Sequence, residues 1–232
     1  AALCAGRGLD LEQVPPSIQA RTEEVFGAPL SPPQVVERIL KDVRERGDRA
    51  VRELSLKLDG ASSAEMEVPS ASIKVAYDKV PEAVIDALVT SAGRIRKFHE
   101  ASLPRGWMDF AEGYGQVIRP VTRVGAYIPG GTACYPSTAM MTTIPAKVVG
   151  VAEVVMCSPA REDGMPDPAV LVAADVAGAD RIFSIGGAQA IAAMAYGTET
   201  VPGVDVVCGP GNIFVTLAKK QLFGVVGVDG LY

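Results

Sequence analysis

Four short segments of this chain carry the residues best suited to holding a charged ligand. They are Pro129-Gly130-Gly131-Thr132, Ser158-Pro159, Gly186-Gly187-Ala188-Gln189 and Gly209-Pro210-Gly211-Asn212. Three are rich in glycine, which lets a ligand approach the backbone closely. Each of those three precedes a helical pattern. Helix N-termini present unpaired N–H groups and a partial positive charge, so phosphate is the natural guest. A nucleotide or dinucleotide is the expected ligand. The competing reading is geometric, because strand-to-helix turns use glycine in many folds without a ligand. No G-x-G-x-x-G occurs, and Cys157-Ser158 stands where an acidic ribose partner would end the second strand.

Other chemistry is thinly supplied. The chain has one histidine, His99, and four cysteines, Cys4, Cys134, Cys157 and Cys208, with no C-x-x-C pair. One histidine excludes a zinc site needing two within this chain, and any serine triad that does not use His99. Among Arg94, Ile95, Lys97 and Phe98, His99 reads as structural. Cys157 and Cys208 sit at strand ends and read as packing residues, while Cys134 lies in a glycine-rich loop and is expected to be more exposed. Lys219-Lys220 ends a helix and suits its dipole; phosphate binding is the weaker alternative. The charges from Lys41 to Arg52 read as a solvated helix face.

The elements that must position these loops follow from periodicity. Short apolar runs at Val124–Ile128, Glu153–Cys157, Arg181–Ile185, Val204–Cys208 and Val225–Val228 alternate with helical patterns. Those patterns are Ser137–Val149, Pro168–Ala177, Ala188–Tyr196 and Asn212–Phe223. Such alternation predicts a parallel sheet with helices on both faces. Right-handed crossovers put every strand-to-helix loop on one edge, where α/β proteins bind ligands. Residues before about 120 read as mostly helical. Ser31-Pro32-Pro33 opens a helix with Val36, Ile39, Leu40 and Val43 inward. Gly47 ends it, and Asp48 is expected to cap the next, which runs to the Asp59-Gly60 turn. Pro81 opens a longer helix with Val84, Ile85, Leu88, Ala92, Ile95 and Phe98 inward. Met108–Val121 reads as a hairpin around Gly113-Tyr114-Gly115, with Trp107 as a core anchor.

The chain has 232 residues, 48% hydrophobic and 21% charged, with Gly 24 and Pro 17, which describes an ordinary globular protein rather than a disordered one. A net charge of −5 gives no basic footprint for nucleic acid. Thr138–Cys157, the best candidate membrane span, is broken by Pro145, Lys147 and Glu153. No signal-peptide pattern opens the chain, so a cytoplasmic setting with reduced thiols is expected. The first residue is Ala1, and the chain stops just after an apolar run. An excerpt of a longer protein is therefore expected, with exposed apolar surface and poor solubility.

The glycine-rich loops also carry a resemblance. Val124-Gly-Ala-Tyr-Ile-Pro-Gly-Gly-Thr-Ala133 with Pro136-Ser-Thr138 closely resembles the glycine-rich segment of histidinol dehydrogenases. Glu153-Val-Val-Met-Cys-Ser-Pro159, Gly186-Gly-Ala-Gln-Ala-Ile-Ala-Ala193, Tyr196-Gly-Thr-Glu199 and Gly209-Pro-Gly-Asn212 continue it in order. The resemblance implies an α/β fold. An incomplete Rossmann-like parallel-sheet domain (124–232) would follow a mostly helical N-terminal region, comprising a helical segment (1–29) and the first part of a discontinuous second α/β domain (30–123). It implies NAD-dependent oxidation of L-histidinol to L-histidine through L-histidinal, in a cytoplasmic, zinc-dependent homodimer. It implies NAD contacts at Tyr127, Gln189 and Asn212, although helix capping would also explain Gln189 and Asn212. It places the zinc ligands and the acid–base pair beyond Tyr232, so no catalytic or metal residue is expected here. Cys134-Tyr135 and Gly230-Leu231-Tyr232 depart from the family's usual wording. They leave open a paralogue acting on another small polar alcohol, and a non-catalytic nucleotide-binding module stands as a further alternative.

Overall fold

A computed structural model describes residues 16–60, 65–131 and 133–231. Cys4, Thr132 and Tyr232 lie outside them. Among the described residues five helices come first: α1 (Pro16–Phe26), α2 (Pro32–Arg46), α3 (Asp48–Asp59), α4 (Ser70–Lys79) and α5 (Glu82–Ala101). A hairpin follows, β1 (Trp107–Asp109) and β2 (Tyr114–Gln116), paired antiparallel. Then strands and helices alternate: β3 (Arg123–Tyr127), α6 (Pro136–Val148), β4 (Glu153–Ser158), α7 (Pro168–Ala177), β5 (Arg181–Ser184), α8 (Gly187–Tyr196), β6 (Val206–Cys208), α9 (Ile213–Leu222) and β7 (Gly227–Val228).

The five later strands form one parallel sheet in the order β5-β4-β3-β6-β7. The chain steps outward from β3 to β5, then returns to lay β6 on the other side of β3. The strand order thus reverses between β3 and β6, and such a reversal is the usual place for a ligand in these sheets. Alternate strand residues serve opposite faces. Tyr127, Val155, Cys157, Phe183 and Val207 join the core under α2, α3, α8 and α9. Val124, Ala126, Val154, Met156 and Ile182 join the core under α4, α5, α6 and α7. The fold is the Rossmann-like α/β arrangement expected.

Local chemistry explains the helix starts. Gln34 reaches back to the Ser31 N–H (2.9 Å) at the head of α2. Asp167 accepts from the Ala169 N–H (2.9 Å) at the head of α7, and Gly178 closes that helix in the left-handed region.

Several expectations need correction. Asp48 is the first residue of α3, not its cap. Its N–H donates to Glu199 Oε2 (2.8 Å), and its carboxylate accepts from the Thr200 N–H (3.2 Å) and hydroxyl. On α5 the buried stripe runs through Ile85, Leu88, Ala92 and Ile95. Val84 lies off it, and Phe98 is 68% exposed, meeting the His99 ring edge-on. Trp107 is 52% exposed because β1 and β2 pair only with each other, leaving its ring against Tyr114 alone among aromatic neighbours. β6 and β7 are shorter than their apolar runs. The Val204 N–H turns away to Met194 O, and the Val225 and Val226 N–H groups bond back to Leu222 O. The charges between Lys41 and Arg52 form the solvated face expected, with Arg46 bridging Asp42 and Glu53, except for Asp48, which is buried.

Candidate functional site

Tyr127 closes β3 and is only 3% exposed. Its hydroxyl accepts a hydrogen bond from the Gly187 N–H (3.1 Å), so it holds the first turn of α8. Burial pushes its phenol well above the ordinary range, and the bond from Gly187 offsets only part of that. The ring therefore lies beneath the loop rather than on its outer surface.

Gln189 stands in the first turn of α8 and is fully buried. Its Nε2 donates to Asp59 Oδ2 (3.0 Å) at the end of α3. A carboxylate only accepts, so this contact fixes which end of the amide faces Asp59. The other end, Oε1, is buried without a hydrogen-bond partner among the described residues. Such an acceptor is costly to leave unpaired.

Asn212 caps α9, its Oδ1 accepting from the Phe214 (3.0 Å) and Val215 (3.1 Å) N–H groups. The capping alternative thus describes Asn212, whereas Gln189 is tied to Asp59. Replacing Asn212 with alanine is expected to cost about 1 kcal/mol of stability through the lost cap, read from urea unfolding.

Gln189 and Asn212 line one cavity of about 600 Å³, with Phe26, Ile39, Asp59 and Gly187. It opens between the N-termini of α8 and α9 and the helices α1 to α3. Tyr127 sits one hydrogen bond beneath it. In sequence Asp59 reads only as a turn residue, and no local signal pairs it with Gln189. A smaller cavity of about 240 Å³ lies along the same strand edge, lined by Gly130, Gly131, Cys134, Ser158, Arg161 and Asp167. A larger hollow of about 670 Å³ among α1, α2 and α3 is walled by charges such as Arg46, Asp42 and Glu53, which pair with one another. It holds none of the loop residues.

The three described thiols are poor nucleophiles. Cys157 is buried, which pushes its pKa up strongly. Cys208 is pushed up to about 12, by burial first and Asp229 second. Cys134 is exposed but also reaches about 12, by desolvation and by its bond to the Asp167 carboxylate (3.0 Å). Slow alkylation of all three by iodoacetamide at neutral pH is expected; fast labelling of Cys134, located by mass spectrometry, would contradict the Asp167 contact. His99 is half-buried in α5 and lines none of these cavities. Among the described residues no group of three or more His, Cys, Asp or Glu side chains could hold a metal ion. Among them, too, no helix is long and apolar enough to cross a membrane.

A sequence model of the family described as histidinol dehydrogenase matches residues 31–232. The chain belongs to the histidinol dehydrogenase family. Histidinol dehydrogenase from Deinococcus radiodurans is 46% identical over 94% of this chain and 50% of its own length. The one from Caldanaerobacter subterraneus is 50% identical over 84% of this chain and 46% of its own. The crystal structure of histidinol dehydrogenase from Elizabethkingia anophelis superposes with a TM-score of 0.83 at 31% identity, over 95% of this chain and 52% of that one. The chain thus spans about half the length of the histidinol dehydrogenases it matches. The resemblance read from its loops holds.

Proposed function

We propose that this chain is the nucleotide-binding half of an NAD-dependent enzyme that oxidises L-histidinol to L-histidine through L-histidinal, completing histidine biosynthesis. The observation that carries this is the cavity between the α8 and α9 N-termini, lined by both Gln189 and Asn212. The residues present fit a nicotinamide dinucleotide. Two helix N-termini suit its phosphates, and the amides of Gln189 and Asn212 suit its carboxamide or ribose hydroxyls. NAD, when bound, supplies the hydride acceptor. Gln189 and Asn212 would hold it, with Tyr127 fixing the turn from which Gln189 projects. The apolar wall of Phe26 and Ile39 would exclude water from one side.

Zinc does not fit the described residues, since they gather no suitable donor set. A zinc centre and the acid–base groups belong, on this reading, to the portion of the family's length that the chain does not span. A cytoplasmic homodimer is part of the same reading. Exposed apolar side chains on the hairpin, including Phe110 at 90% and Met108 at 51%, support a covered surface there. Neither nucleic acid nor membrane is a proposed partner.

The deciding experiment follows NADH formation from L-histidinol with zinc present. It compares a protein of the relatives' full length carrying this sequence with the 232-residue chain. Turnover by the first alone is expected, with NAD bound by both. A full-length protein that binds NAD but prefers another alcohol would favour a paralogue, a reading supported by the Cys134-Tyr135 departure. NAD binding without turnover of any alcohol would favour a non-catalytic module.

A further inference from the structure

Lys219 was expected to serve the dipole at the end of α9. Instead it is 2% exposed and turns back toward the start of that helix. Its Nζ donates to the Gly209 carbonyl (3.0 Å) and to Asp229 Oδ1. The other carboxylate oxygen of Asp229 accepts from the Gly209 N–H (2.9 Å). One ion pair therefore grips the N–H and the C=O of a single residue. That residue sits at φ +112°, and a Cβ on it would lie 2.1 Å from Tyr127 O. Three positions later stands Asn212, the cap of α9 and a wall of the cavity.

Stability does not account for such a pair. Sinking an ammonium group costs roughly what its partner returns, and well-packed apolar residues often serve as well. What apolar residues cannot do is occupy both polar groups of Gly209 and hold them in one orientation. We propose that Lys219 and Asp229 are positioning residues that lock the 209–212 loop, and with it Asn212, in the form that receives the nucleotide. Its functional consequence rests on the nucleotide-binding reading above; the locking does not.

The test uses Asp229→Asn, which keeps an acceptor for the Gly209 N–H, and the charge-balanced double variant Lys219→Met/Asp229→Leu. Affinity for NAD is read by titration, amide hydrogen exchange by mass spectrometry, and folding by thermal melting. The double variant is expected to melt cooperatively but below the wild type, because Gly209 keeps unpaired groups, to exchange faster at 209–214 and to bind NAD about tenfold more weakly or worse, with Asp229→Asn in between. Wild-type exchange in that segment, or wild-type affinity despite the missing pair, would overturn the proposal. If the double variant does not fold, Asp229→Asn decides by the same two readings. If the wild type itself binds no NAD, the functional reading falls, and exchange at 209–214 still decides whether the pair locks the loop.

Discussion

Replacing Gly209 with alanine is expected to cost about 3–5 kcal/mol, because strain and collision act together, and to abolish the NAD binding proposed above. The backbone there is left-handed at φ +112°, and the new methyl would sit 2.1 Å from the Tyr127 carbonyl oxygen and 3.0 Å from its carbon. Neither obstacle is the far end of a flexible side chain. Retreat would have to move the end of β3 or pull Gly209 from Lys219 and Asp229. Gly224→Ala provides the comparison. It has a similar φ of +95° but nothing within 4 Å of the added carbon. Only strain applies there, about 1 kcal/mol. Urea unfolding of both variants, with NAD titration, separates the two costs. Equal losses would mean that the close approach to Tyr127 is wrong.

The second large effect is expected at Asp48, whose side chain is buried between α3 and the 198–200 turn. Asp48→Ala should cost about 2–3 kcal/mol, since it strips the acceptor from the Thr200 N–H and hydroxyl. The variant also leaves Arg52 without its 3.3 Å partner. The same residue sets a pH dependence. Burial alone would raise its pKa, but hydrogen bonds from Thr198 and Thr200 and the charge of Arg52 outweigh that and leave it lowered. A lowered carboxylate contributes stability that is whole above the unfolded-state pKa of about 4 and is lost as pH falls through the folded value. Glu67, held low by Arg181 at 2.6 Å, adds in the same direction with a smaller weight because both groups are partly solvated. Melting followed from pH 6 downward should therefore show a decline that begins near pH 4, shallower in Asp48→Asn. A variant that tracks the wild type would remove Asp48 from this account.

The sheet was legible in the residues because its signals are local. Apolar runs bounded by glycine and proline located β3, β4 and β5 and the helices between them to within a residue or two. α7 begins at Pro168 and ends at Ala177, as its proline and following glycine indicate. The glycine-rich loops likewise located the carboxyl edge of the sheet, and order along the chain carried the family. What stayed hidden is pairing across distance. Asp48 looked like a cap because acidic residues before helices usually are caps, yet its partner lies at Thr200. Lys219 looked like a helix-end cation, and nothing near it in sequence reveals that Asp229 and Gly209 surround it. Asp59 looked like a turn, and only folding places it against Gln189. Trp107 and Phe98 erred the other way, because apolar type does not say which surface another element will cover.

The α2–α3 pair has a consequence for synthesis. Its apolar faces, Val35, Val36, Ile39, Leu40 and Val43 on α2 with Val51 and Leu54 on α3, pack in the core completed by α8 and α9. Asp48 waits 152 residues for Thr200. A ribosome adding about 5–20 residues each second leaves those helices exposed and unpartnered for on the order of ten seconds. Contacts so remote in sequence also close slowly. The nascent chain is therefore most vulnerable to self-association between the emergence of α3 and that of α8, the interval in which a holding chaperone would matter most.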